Sequence, residues 1–114
     1  MGGLVLASAY RLIDMLLAEG ALEVLSAVKQ GRTAHFKDLR VLKNERTNHV
    51  FSGNTLSARL KELEKLGAIK RIISVTDKGR NVVAYSITPN GIKTLEISQR
   101  YEEELSRVLS GSKA

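Results

Sequence analysis

Between Ser52 and Arg71 the chain reads SGNTLSARLKELEKLGAIKR, and its contact-making residues are sorted by helical spacing. Leu56, Leu60 and Leu63 recur at intervals of four and three, so on a helix they share one face. At about 100° per residue the opposite face falls on Asn54, Ala58, Lys61 and Lys65, flanked by Thr55 and Ser57. A surface helix selected for stability alone would favour alanine or long charged side chains at those positions. Small hydrogen-bonding groups interrupted by lysine suit a partner that approaches the helix closely.

Charge narrows the class of that partner. From Lys29 to Arg80 there are thirteen Lys or Arg against five Asp or Glu, whereas the rest of the 114-residue chain has five against seven. The overall charge of +6 therefore belongs to the middle of the chain. Such segregation points to a polyanion-facing surface, nucleic acid first among them, with a merely solubilising surface as the alternative. Hydrophobic residues make up 43% of the chain and aromatic ones 4%, so the core should be built from Leu, Ile, Val and Ala.

Other chemistry finds little support. The absence of cysteine removes disulfides, thiol catalysis and the commonest structural zinc sites. No GxxxxGK[ST], GxSxG or HExxH pattern occurs, and His35 and His49 stand apart with no ligand pattern around them. Glu102, Glu103 and Glu104 are adjacent, so on a helix they point in different directions and form a poor catalytic pair. Neither enzymatic activity nor a metal or other cofactor is expected. Near the amino end the apolar run is broken by Ser8, Tyr10 and Arg11, unlike a secretory signal, and Leu6 stands where myristoylation requires Ser or Thr. No stretch reaches the ~18–20 apolar residues of a membrane span, so no membrane partner is expected and a cytoplasmic location is compatible.

The elements that must position the quoted face can be read in order. Leu4 to about Ala18 predicts a first helix, with Gly20 near its end, and ALEVLSAVKQG a second that stops at Gly31 with that glycine as cap. TAHF follows as a short extended segment. FKDLRVLK, with Phe36, Leu39 and Leu42 at spacings of three, predicts a third helix, and NERTNHVF a polar loop. Ser52 is suited to cap the next helix and Gly67 to close it. IKRIISV and NVVAYSI are β-branched runs around TDKGR, predicting a hairpin with Gly79 at its tip. Thr88 and Pro89 supply a cap and a first-turn proline for a last helix to about Leu109, leaving 110–114 as a tail. With no repeat or linker, residues 1–114 read as one domain, mainly α with a small β-hairpin.

This order, with the basic residues gathered on the third and fourth helices and the hairpin, resembles the winged helix-turn-helix transcriptional regulators. Within that group it looks most like the HxlR-type regulators, with MarR-type, PadR-type and small archaeal Lrs-like regulators close behind. TLSARLKELEKLGAIKR resembles their recognition helix and its exit, and AYSITPNGIKTL their second wing strand running into the final helix. The likeness covers roughly Ala21 to Leu95. Two features depart from it: the connection from Lys43 to Phe51 is longer than the family's usual turn, and the cysteine that many HxlR-type regulators carry near the first helix is missing, which removes the basis for thiol redox sensing.

The resemblance implies double-stranded DNA as partner, with residues 52–66 in the major groove and the wing at 76–82 on the backbone or in the minor groove. Asn54 would pair with adenine, Thr55 and Ser57 with bases or phosphates, and Arg59 and Lys61 with guanine or the backbone, while Ala58 permits close approach. The free amides near Ser52 and Gly53 favour a phosphate. Arg59 lies nearer the buried side, where a salt bridge with a neighbouring carboxylate competes with DNA. Lys78 and Arg80 flank the hairpin tip, and Lys37, Arg40 and Lys43 would add backbone contacts. Surplus apolar residues on the first and last helices (4–18 and 89–109), among them Ile92, Leu95, Tyr101, Leu105, Val108 and Leu109, imply a homodimer on a symmetric site. No pattern marks a pocket for a small-molecule effector. An architectural binder of low sequence preference and a winged helix used for protein assembly remain as alternatives.

Overall fold

The computed structural model describes residues 12–31 and 33–111. Residues 12–17 are helical (α1), and the part of the expected first helix before them lies outside the described residues. There follow α2 (Ala21–Gly31), β1 (Thr33–His35), α3 (Phe36–Leu39), α4 (Gly53–Lys65), β2 (Ile69–Val75), β3 (Asn81–Ile87) and α5 (Pro89–Ser110). The strands form one antiparallel sheet in the order β1-β3-β2, with Ala34 opposite Tyr85 and Ile72 opposite Ala84. The TAHF segment thus extends the expected hairpin into a three-stranded sheet.

The core is aliphatic, as the composition requires. Val24, Leu25 and Val28 of α2, Leu39 of α3, and Leu56, Leu60 and Leu63 of α4 are buried together with Phe51, Ile69 and Leu95. At roughly 1.5–3 kcal/mol for each fully buried leucine, the ridge on α4 is what fixes that helix's rotation about its own axis. A quarter turn would expose a leucine and carry Ser57 and Glu64, or in the other sense Thr55 and Glu62, toward the core.

Two glycines permit close approaches that a side chain would block. Gly20, at φ +86°, makes the turn between α1 and α2, and a Cβ there would stand 3.2 Å from the ring of Phe51. Gly91, in the first turn of α5, lies against the α4–β2 junction so tightly that a Cβ would fall 2.0 Å from the Ala68 carbonyl oxygen. Thr88 secures the same crossing. Its N–H donates to the Ala68 carbonyl at 3.0 Å, its hydroxyl donates to the Gly67 carbonyl at 2.5 Å, and its Oγ1 accepts the Gly91 N–H at 3.0 Å.

Two boundaries differ from expectation. Gly31 is the last residue of α2 and does not take the left-handed conformation, so it is not a left-handed cap. The third helix stops at Leu39 instead of continuing through Lys43. The Arg40 and Leu42 amides bond only three residues back, to Lys37 and Leu39, and the Leu42 carbonyl then accepts the Phe51 N–H at 3.2 Å. Lys43 pairs with Val50 in an antiparallel bridge. Pairing across the connection has taken the backbone groups that another helical turn would have used.

Candidate nucleic-acid interface

Helix α4 starts where the sequence predicts. The Ser52 hydroxyl accepts the Thr55 N–H at 3.1 Å and donates to the Thr55 Oγ1 at 3.0 Å, so both lone pair and proton are used in the cap. Thr55 keeps its own hydroxyl proton for an outside acceptor. At the other end the Leu66 N–H returns to the Glu62 carbonyl at 3.0 Å and Gly67 takes φ +79°.

With the leucines buried, Asn54, Ser57 and Lys61 are exposed in a line along the outer face, and Gly53, Thr55 and Ala58 are half-buried beside them. These six form one surface of short side chains ending in a lysine. Arg59 does not belong to it. Its Nε donates to the Glu19 carbonyl oxygen at 2.8 Å and its Nη1 pairs with the Glu62 carboxylate at 2.5 Å, leaving the side chain 18% exposed. The competing salt bridge is formed, and through it and the Glu19 carbonyl the arginine ties α4 to the α1–α2 turn.

The hairpin and α3 bring the remaining cations together. The tip is closed by the Thr76 N–H donating to the Arg80 carbonyl at 2.9 Å and the Arg80 N–H donating to Thr76 Oγ1 at 3.1 Å, with Gly79 at φ +78°. An open groove of about 620 Å³ runs between this tip and the start of α3. Lys37, Lys78 and Arg80 all line it, with Asp77 as the one carboxylate among its lining residues. Arg40 is exposed in the turn after α3 but does not line the groove, so it stands apart from the other three cations. Lys43, expected on a helix, sits instead in the stem of the following loop.

Asp38 explains why the start of α3 is well defined. Its carboxylate accepts the His35 backbone N–H at 3.1 Å, with the His35 Nδ1 at 3.3 Å. The backbone bond from His35 chiefly holds the Asp38 carboxyl below its usual range; desolvation opposes it, and the His35 ring and the charge of Lys37 add smaller downward contributions. Sequence reading missed the contribution of His35, Phe36 and Thr76 to the groove and the role of Asn44 described below. For Thr76 the local signal is its place four residues before Arg80, at opposite ends of the five-residue loop between β2 and β3. Among the described residues no group of three or more His, Cys, Asp or Glu is placed to hold a metal ion, and no helix is long and apolar enough to cross a membrane.

The fold has counterparts among solved structures. A Thermoplasma acidophilum protein assigned as a transcriptional regulator is 26% identical over 79% of this chain and 89% of its own, with a TM-score of 0.56. A PadR family transcription regulator from Clostridium difficile is 18% identical over 82% of this chain and 97% of its own, at a TM-score of 0.64. A MarR family regulator from Enterococcus faecalis, also 18% identical, covers 94% of this chain and 89% of its own at 0.64. The fold is a winged helix. No family model and no curated protein matches the sequence. The likeness is to winged-helix regulators of the PadR and MarR type, and the HxlR-type assignment is finer than it reaches. In a winged-helix fold α4 and the β2–β3 hairpin occupy the places of the recognition helix and the wing.

Proposed function

We propose that this winged-helix chain, residues 1–114 as one unit, is a sequence-specific DNA-binding regulator of transcription acting as a homodimer in the cytoplasm. The reading helix enters the major groove, which at ~12 Å admits one α-helix, and the wing meets the backbone or minor groove. What carries this reading is the outer face of α4, where Asn54, Ser57 and Lys61 are exposed with no bulky residue to hold a duplex away. Asn54 suits adenine, Lys61 suits guanine or phosphate, and Lys37, Lys78 and Arg80 supply sequence-independent attraction. The TLSARLKELEKLGAIKR and AYSITPNGIKTL segments support an HxlR-type relationship within the group.

Dimerisation is supported by α5. Its 22 residues span about 33 Å, yet its buried residues are Gly91 and Leu95, near its start. Beyond them Ile97, Tyr101, Leu105 and Val108 recur at intervals of four, four and three, all exposed. Leu12, Ile13 and Leu17 of α1 are exposed as well. Single apolar residues on a surface are ordinary, but a helical stripe of this length is the pattern of a helix awaiting a partner.

Fluorescence anisotropy with random and selected genomic duplexes over a salt series tests the reading. Tight, salt-dependent binding with a preference for selected sequences is expected. A steep salt slope without preference would replace it with an architectural role. Absence of binding at low salt would sink it in favour of a protein-assembly module. Sedimentation should give a dimer that Leu105→Glu converts to monomer, lowering affinity for a two-half-site duplex at least ten-fold; a dimer unaffected by that substitution would refute the α5 interface.

A further inference from the structure

Of the connection between α3 and the reading helix, the resemblance assigns only Lys43 a contact, yet the whole segment is held in a defined shape. Besides the Lys43–Val50 bridge, the Asn44 N–H donates to the His49 carbonyl at 2.8 Å and the Asn48 N–H donates to the Asn44 carbonyl at 2.7 Å. The Asn44 side chain is the anchor. It is the one buried polar residue among those described, its Nδ2 donates to the Glu19 carboxylate at 3.0 Å, and its Oδ1 accepts the Arg46 N–H at 2.8 Å. Asn48 takes φ 62°, which asparagine tolerates better than most residues. The segment is a small pinned hairpin that fixes the Arg46 backbone and leaves its side chain in solvent.

Its exposed surface carries two cations, Lys43 and Arg46, against one carboxylate. Lys43 and Arg46 are exposed, and Glu45 is the lone acid between Arg40 and Ser52. Neither Lys43 nor Arg46 pairs with a carboxylate among the described residues. The position follows from connectivity. Lys43 lies across from Val50, two residues before the Ser52 cap, which puts its backbone within roughly 12 Å of the reading helix's first turn. Phe36 and Lys37, at the start of α3, line the groove beside the wing, whereas this loop leaves from the other end of α3.

We propose that the 43–50 loop is a further duplex-DNA contact, in which Lys43 and Arg46 neutralise backbone phosphates beside those met by the reading helix. The inference rests on the DNA-binding reading of α4 and deepens it. Phosphates are the fitting ligand because two long cations on a fixed backbone give charge and reach without the paired donor and acceptor that base reading needs. The pinned backbone also leaves only side-chain freedom to be lost on binding.

The test is a salt series on the double variant Lys43→Ala, Arg46→Ala, with Lys61→Ala alongside. Each lost phosphate contact should reduce the slope of log K against log salt by ~0.9, so the double variant's slope falls by about 1.8. Affinity at 0.1 M salt then drops on the order of ten- to sixty-fold, equally for preferred and random duplexes. A slope and affinity unchanged in the double variant but reduced in Lys61→Ala would overturn the loop contact and leave the reading of α4 standing. A wild-type protein without salt-dependent binding would overturn both. The unaltered protein offers an independent check: duplex should protect Lys43 from acetylation, and equal labelling with and without duplex would refute the contact.

Discussion

Replacing Arg59 with alanine separates a contact residue from one that positions the reading helix. The substitution removes a charged donor 2.8 Å from the Glu19 main-chain carbonyl and an ion pair with Glu62. A hydrogen bond from a charged group contributes about 1.5–3 kcal/mol, and a partly exposed i,i+3 pair adds a few tenths, which alanine's helix propensity largely offsets. The expected loss is therefore about 1.5–3 kcal/mol. For a chain of this length, at about 4 °C per kcal/mol, the thermal midpoint falls by roughly 6–12 °C. Because the guanidinium faces Glu19 and Glu62, no phosphate contact is lost with it. Below its melting range Arg59→Ala should bind duplex with the wild-type salt slope, whereas Lys61→Ala should melt normally and lose ~0.9 from that slope. Calorimetry and anisotropy on the same preparations decide the matter. Were Arg59→Ala to melt within a degree of wild type and flatten the slope as Lys61→Ala does, the arginine would be a DNA contact and the inward geometry would not describe the protein in solution.

Leu60→Ala should destabilise the fold by about 2–5 kcal/mol in denaturant titration, since the side chain is 2% exposed within the α4 ridge; a loss below 1 kcal/mol would mean the ridge is not the anchor. Gly91→Ala should lower stability by about 1–3 kcal/mol or more, because its Cβ would meet the Ala68 carbonyl oxygen at 2.0 Å and the Ile87 side chain at 2.7 Å; an unchanged thermal midpoint would contradict the crossing. For Asp38 the folded carboxyl titrates below its ordinary value of 3.8, so its stabilisation is present above that pH and is lost as pH falls through the lowered value. The stability difference between wild type and Asp38→Ala should hold steady from neutral pH to about 5 and shrink below 4. A difference that persists undiminished to pH 2 would show that the His35 contact does not depend on the charge.

The parts of the site legible in the sequence are those governed by neighbours a few residues away. Ser52 and Thr88 cap helices because their hydroxyls reach an amide three residues on. Gly67 and Gly79 take left-handed φ where a helix ends and a hairpin turns. The burial of Leu56, Leu60 and Leu63, and with it the exposure of Asn54, Ser57 and Lys61, follows from a period that any helix would impose. The Glu62 partner of Arg59 was within reach of the same reasoning, since it stands three residues on. The end of α3 was not: Phe36, Leu39 and Leu42 have helical spacing, and the competing bonds come from Val50 and Phe51.

By itself the chain's order of residues determined the kinds of element, their caps, and which side of the reading helix would meet solvent, because these depend on backbone periodicity and short-range hydrogen bonds. Only tertiary structure decided that Arg59 turns toward Glu19, forty residues earlier, that Asn44 reaches the same residue across twenty-five, and that Lys37 shares a groove with Lys78 and Arg80. A polar side chain goes wherever the folded chain offers its best unpaired partner, and that partner's position exists only once the elements have packed.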